Sequence, residues 1–185
     1  MKIRYCGSFD GKVASLPPAQ PVEGAVRVEE PGRPRDLVRK TNIGAAILFG
    51  VLLVLVILRG GIAALHLGGV VLALLAVLPR ELMRALFYRD ECWFYMNFQE
   101  SMPFVTGSEH MSRTRFLLLT LVPDLLFGLI PLVLFLIWPK LSLLGTMGLI
   151  CLPMGFGDYL LAWLVLRQVP GDATVYRQYF HTYWY

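Results

Sequence analysis

Four long apolar runs constrain the fold of this 185-residue chain more than any other feature. Hydrophobic residues make up 56% of the chain and charged residues only 16%, and the apolar residues are gathered rather than spread at the spacing of a soluble core. The runs cover residues 43–58, 62–78, 116–138 and 141–166. One helix through the first two runs would be about 54 Å long, well beyond a hydrocarbon core of about 30 Å, so Arg59-Gly60-Gly61 predicts a turn between two membrane spans.

The distribution of basic residues predicts the orientation of these spans. Fifteen of the 17 Lys and Arg residues lie before the first span, between the second and third, or after the fourth, and only Arg59 and Lys140 lie in the short turns. The positive-inside rule then predicts a multi-pass membrane protein with both termini in the cytoplasm. The lipid bilayer is the expected partner, and the pI of about 9.1 needs no nucleic acid to explain it.

The fold class predicted from these features is an all-α membrane protein, a bundle of four transmembrane helices. The spans are expected at about 43–58, 62–88, 114–138 and 141–168. An aromatic run from Cys92 to Phe98, followed by Pro103-Phe104-Val105, predicts a small cytoplasmic β-hairpin between the second and third helices. Residues 1–41 are predicted to form a Pro/Gly-rich cytoplasmic segment with at most a short strand at Ala25 to Val28. Residues 42–168 are predicted to form the transmembrane domain and residues 169–185 a cytoplasmic tail.

The segment Arg80-Glu81-Leu82-Met83-Arg84 has the frame of a zinc-protease helix with arginine at both histidine positions. In a His-Glu-x-x-His helix, two imidazoles on one face bind Zn²⁺ and the glutamate acts as general base. A guanidinium stays protonated and has no lone pair for a metal. We therefore expect no metal, no cofactor and no catalytic residue here. His66 is expected near the outer face and His110 and His181 on the cytoplasmic side, so His66 cannot share a metal ion with them. A cytoplasmic site of Cys92, His110 and His181 is the alternative, but the spacing of these residues gives no sign of it.

The chain resembles the bacterial putative zincin peptidase family, a membrane domain distantly similar to site-2 intramembrane proteases. The matching segments are Ser15-Leu16-Pro17, Gly24-Ala25-Val26 with Glu29-Glu30-Pro31, residues 80–87, Met111 to Phe116 leading to Pro123, Gly157-Asp158-Tyr159-Leu160, and Leu166 to Pro170. The resemblance implies that Glu81 stands at the general-base position and Asp158 at the position of a third metal ligand. Arg80 and Arg84 depart from the family pattern, which implies a degenerate active site.

Helix geometry predicts that Arg80 and Asp158 lie at nearly the same depth, about 26 to 29 Å from the outer face, with Asp124 higher at about 21 Å. Charges inside a bilayer usually face the bundle interior and pair, so we expect an ion-pair cluster of Arg80, Glu81, Arg84 and Asp158 in place of the metal. In the alternative, the arginines extend to the lipid headgroups. Asp124 follows Pro123, so it either joins the cluster or caps a restarted helix. The break at residues 153–157 predicts a small cavity beside Asp158.

Three functions are compatible with this pattern. The first is a non-catalytic zincin-family protein, a pseudoprotease that keeps the bundle and binds or scaffolds another membrane protein or segment. The second is an active intramembrane metalloprotease with atypical ligands, which stoichiometric zinc would reveal. The third is a small transporter or channel subunit that uses the buried charges, although four spans without a repeat are unusual for a monomeric transporter.

Overall fold

The computed structural model describes residues 2–8, 16, 22–30, 34–97, 102–179 and 181–185. The chain divides into two compact units, each built from separate stretches of sequence. We call them the sheet unit (Met1–Glu29, Glu81–Leu119 and Ala162–Tyr185) and the helical unit (Glu30–Arg80 and Thr120–Leu161).

Helices account for most of the described residues. The α-helices are α1 (Pro34–Gly60), α2 (Leu67–Ala85), α3 (Arg113–Asp124), α4 (Ile130–Ile137), α5 (Ser142–Met154) and α6 (Phe156–Gln168), with a 3₁₀ turn at Ile62–Ala64 and a π-helical turn at Leu125–Leu129. Three helical stretches are long and apolar enough to cross a membrane: Asp36–Gly60, Ile62–Ala85 and Arg113–Ile137. The pair α5 and α6 is bent by 52° and counts as a fourth only if both helices form one span.

Helix α5 lies at the centre of the helical unit. It packs against α1 and α4 in an apolar cluster that contains Leu52, Val56, Phe135 and Leu149. On another side, Ala73 and Ala76 of α2 join Met147 and Cys151 of α5 in a second cluster. Small residues allow this close approach, because a Cβ at Gly69 would meet the backbone and the Thr146 side chain of α5.

Gly148 of α5 provides a test of this packing. An added Cβ there would lie 2.8 Å from the carbonyl oxygen of Gly128 and 2.8 Å from the backbone nitrogen of Leu132, and backbone atoms cannot move aside cheaply. We expect Gly148→Ala to lower the free energy of unfolding in detergent by about 1 to 3 kcal/mol. Gly50→Ala is the matched control, since nothing lies within 4 Å of that position in α1. It should be neutral or stabilising by up to about 1 kcal/mol, and equal losses in the two variants would contradict the packing.

The sheet unit contains two small β-sheets. The strands among the described residues are β1 (Lys2–Ser8), β2 (Val26–Arg27), β3 (Glu91–Asn97), β4 (Met102–Thr106), β5 (Met111–Ser112), β6 (Thr174–Gln178) and β7 (His181–Trp184). The first sheet has the order β1-β3-β4 and the second the order β2-β7-β6-β5. Strand β1 runs parallel to β3, with Ile3 beside Cys92, whereas β3 and β4 form an antiparallel pair.

The predicted all-α fold class is therefore wrong, because seven strands in two sheets accompany the helices in the described part of the chain. The predicted hairpin exists as β3 and β4, and the short strand expected at Ala25 to Val28 is observed as β2. The strands β1, β5, β6 and β7 were not predicted. Strand β1 pairs with β3 and strand β5 with β6, in each case far along the chain, so β1 and β5 give little local signal. Strands β6 and β7 pair with each other within the predicted tail, for which no strand was expected. Residues 1, 9–15, 17–21 and 31–33 of the predicted Pro/Gly-rich segment lie outside the described residues.

Candidate functional site

A buried arginine in the helical unit contacts two aspartates from other helices. Arg80 lies near the end of α2, directly after Pro79, and only 7% of its surface is exposed. One terminal nitrogen, Nη2, contacts the Oδ1 atom of Asp124, at the end of α3. The same nitrogen lies 3.3 Å from Oδ2 of Asp158 in α6. We call these three residues the Arg80 triad, and it links three helices of one unit.

Asp124 is the most deeply buried member of the triad, with 1% of its surface exposed. It stands where α3 passes into the π-helical turn, a local distortion that is frequent at functional sites. Its backbone is helical and its side chain makes no capping hydrogen bond, so the alternative prediction that Asp124 caps a restarted helix is wrong. Its carboxylate is instead directed to Arg80.

The bend between α5 and α6 makes room for the Asp124 carboxylate. Gly155 lies at this bend, and an added Cβ would meet the carboxylate of Asp124 and come within 2.8 Å of the Tyr159 hydroxyl. The bend also places Asp158 in the first turn of α6, where the helix dipole favours a negative charge. A glycine at the break therefore allows the two carboxylates to share one guanidinium.

The triad differs from a simple ion pair in its charge and exposure. Two carboxylates face one guanidinium, and the side chain of Asp158 is 24% exposed whereas that of Asp124 is fully buried. A buried charge is costly unless its partners compensate for lost water, so each member depends on the others. The chemistry that this arrangement supports is a cross-link between helices.

Glu81 directly follows Arg80 in α2, Arg84 lies one turn further on, and both belong to the sheet unit. Nη1 of Arg84 lies 2.9 Å from Oε1 of Glu81, and the backbone N–H of Val105 in β4 donates a hydrogen bond of 3.2 Å to Oε2 of Glu81. Glu81 is buried, with 7% of its surface exposed. Both oxygens of the carboxylate thus accept from protein donors, and the side chain attaches the end of α2 to an edge strand.

The donor set of the Arg80 triad does not fit a zinc ion. Zinc in proteins takes His, Cys, Asp or Glu ligands, and the described residues contain no group of three or more such side chains placed to hold a metal. The two triad carboxylates face a guanidinium, whose fixed positive charge opposes a second cation at the same place. The residues of the triad therefore do not fit the zinc ion of a zinc-protease helix.

The structure divides the five predicted site residues between the Arg80 triad and a Glu81–Arg84 pair. Arg80 lies against Asp158, and Arg84 lies against Glu81. Asp124, placed higher by counting helical rise, contacts Arg80 directly. The hydrogen bond from the backbone N–H of Val105 to Glu81 was not predicted, because no pattern in the sequence indicates it. Gly155 could have been found, because it lies in the predicted break at residues 153–157.

Comparison with known proteins yields one match. A family model described as "Putative zincin peptidase" matches residues 72–174, more than half of the chain. The matched range includes most of α2, both sheets in part and all five predicted site residues. No curated protein and no solved structure shows significant similarity to the chain.

Proposed function

Because the chain belongs to the "Putative zincin peptidase" family, we propose that it is a non-catalytic member, a pseudoprotease with Arg80 and Arg84 at the two histidine positions of the zinc helix. The observation that carries this proposal is the Arg80 triad, in which a buried guanidinium contacts Asp124 and Asp158. In this proposal the arginine supplies, as a fixed side chain, the positive charge that a metal would supply in a catalytic relative.

The surroundings of Glu81 support the loss of catalysis. A general base must be free to accept a proton from a reacting water. Here the carboxylate of Glu81 accepts from Arg84 and from the Val105 N–H. These two donors hold the carboxylate in one position, so in this proposal the role of Glu81 is structural.

The remaining role that we propose is binding or scaffolding of another membrane protein or transmembrane segment. The helices offer apolar surface for this, since only 11% of the most apolar window of α1 and 22% of that of Ile62–Ala85 are buried within the chain. We further propose that the protein crosses the bacterial inner membrane several times with both termini in the cytoplasm, as the distribution of Lys and Arg predicts.

A proteolysis assay tests this function. The full chain and its Glu81→Gln variant are reconstituted into liposomes with a labelled model transmembrane substrate, with and without added zinc. We expect the two proteins to show the same background, since Glu81 has no catalytic role to lose. Cleavage by the native chain that zinc stimulates and Glu81→Gln abolishes would overturn the proposal in favour of an active metalloprotease.

A further inference from the structure

A polar cleft of about 590 Å³ lies in the sheet unit, and no member of the Arg80 triad lines it. Its volume is in the range of pockets that take small ligands. The residues that matter for its chemistry are Arg89, Asp90, Trp93, Glu109, His110 and Arg115.

The Glu109–Arg115 ion pair holds the cleft together. Nη1 of Arg115 donates to Glu109 at 2.5 Å, while the Nε of Arg115 donates to the carbonyl oxygen of Phe87 at 2.7 Å. The other Glu109 oxygen accepts from the backbone N–H groups of Arg89, at 2.7 Å, and Asp90, at 3.3 Å. Burial alone would raise the pKa of Glu109, but these hydrogen bonds outweigh it and the pKa is lowered. Glu109 is therefore an anion that fixes the backbone at Arg89 and Asp90.

The side chains of Arg89 and Asp90 remain available to a ligand. Both residues are exposed, and within the described ranges neither side chain has an ion-pair partner. The remaining lining carboxylate, Glu91, lies 2.8 Å from Arg4 in an ion pair. The cleft thus presents one positive and one negative side chain without an ion-pair partner among the described residues, Arg89 and Asp90, on a fixed segment of backbone. A ligand that carried only one kind of charge would be attracted by one of these groups and repelled by the other.

Two aromatic side chains give the cleft rigid walls. The His110 ring stacks on Tyr176, with centroids 4.6 Å apart, and its Nδ1 lies 3.3 Å from the hydroxyl oxygen of Tyr185. Trp93 lies in β3, where its neighbour across the strand pair is Thr106. An indole face can bind an ammonium group, and an imidazole can donate to an anion.

The cleft is formed where the chain leaves one apolar helix and approaches the next. Arg89 and Asp90 follow shortly after Ala85, the end of one candidate span, and His110 shortly precedes Arg113, the start of another. The ends of membrane spans lie among the lipid headgroups, so the ligand at highest local concentration is a headgroup.

We propose that this cleft binds the zwitterionic headgroup of a phospholipid. Arg89 and His110 bind its phosphate, and Asp90 and the face of Trp93 bind its ammonium group. Arg80, Glu81 and Arg84 do not line the cleft, so this proposal does not depend on whether the chain is catalytic.

Calorimetric titration of the full chain in maltoside micelles tests the charge pattern. The probes are glycerophosphoethanolamine, which carries both charges, and glycerol 3-phosphate and ethanolamine, which carry one kind each. We expect saturable binding of the first probe, weakened about tenfold by Arg89→Ala and by Asp90→Asn, and at most weak binding of the other two. Arg39→Ala, at an exposed position of α1 outside the cleft, is the matched control and should change nothing.

A second titration distinguishes a lipid from a soluble ligand. In nanodiscs of phosphatidylethanolamine the lipid should already occupy the cleft and block the soluble probe, whereas in nanodiscs of phosphatidylglycerol the probe should still bind. Absence of saturable binding, equal binding of glycerol 3-phosphate, or insensitivity to both cleft substitutions would overturn the proposal. Undiminished binding in phosphatidylethanolamine nanodiscs would also overturn it, in favour of a soluble ligand.

Discussion

Replacing Asp124 with alanine should lower the free energy of unfolding by about 3 kcal/mol or more, because removal of one partner leaves a buried charge less compensated. Asp124 is 1% exposed and contacts the Arg80 guanidinium, while Asp158 would remain at 3.3 Å as the other partner of Arg80. Chemical unfolding in detergent measures the loss. The matched control is Asp172→Ala, at an exposed position, which should change stability by no more than about 0.5 kcal/mol.

A double-mutant cycle separates this ion pair from general damage to the helical unit. If Arg80 and Asp124 stabilise the protein through each other, Arg80→Ala combined with Asp124→Ala should cost less than the two single losses added together, by about 0.5 to 3 kcal/mol. The same cycle between Arg80 and Asp158 should give a smaller coupling, because Asp158 is further away and 24% exposed. Additive losses in both cycles would mean that the guanidinium does not depend on either carboxylate.

The second large effect is expected from restoring histidine at both arginine positions. Arg80→His together with Arg84→His places two imidazoles at i and i+4 on α2, with Glu81 and Asp158 retained as carboxylates. Zinc bound by the purified double variant should rise from none to one ion per chain, and added zinc should raise its unfolding temperature, because a ligand that binds only the folded state stabilises it.

The control for this variant is the single Arg80→His substitution, which supplies one imidazole and should bind zinc far more weakly. Elemental analysis and thermal unfolding in detergent measure uptake and stabilisation independently, so a loss of stability from removing Arg80 can be told from a failure to bind. A folded double variant that takes up no zinc would contradict the assignment of these two positions to the zinc helix.

The helices could be predicted from the sequence because long apolar runs separated by glycine or proline are a local signal. The turn at Gly60-Gly61 and the bend near Gly155 both lie where the sequence places them. The β3–β4 hairpin could be predicted from its aromatic run, but the pairing of β1 with β3 could not, because the two strands are more than eighty residues apart. The sequence of β1 alone does not indicate which strand it pairs with.

The candidate site was predictable in its members but not in its pairing. Charges within or beside long apolar runs are rare, so Arg80, Asp124 and Asp158 were conspicuous in the sequence. Counting helical rise placed Asp124 above Arg80 because it located Cα atoms and ignored the long arginine side chain. Side chains in a helix lean toward its N-terminus. The N-terminus of α2 is predicted to lie on the outer side, so the Arg80 side chain leans toward the depth predicted for Asp124. The contact between them follows from that direction.

The metal content of the native protein tests most directly whether an arginine-centred ion network stands where a zinc site would be. The full chain is purified in detergent without chelators, and zinc and other transition metals are measured by elemental analysis beside Glu81→Gln and Asp158→Asn variants. We expect far less than one metal ion per chain in all three proteins. One zinc ion per native chain, lost on changing Glu81 or Asp158, would contradict the account.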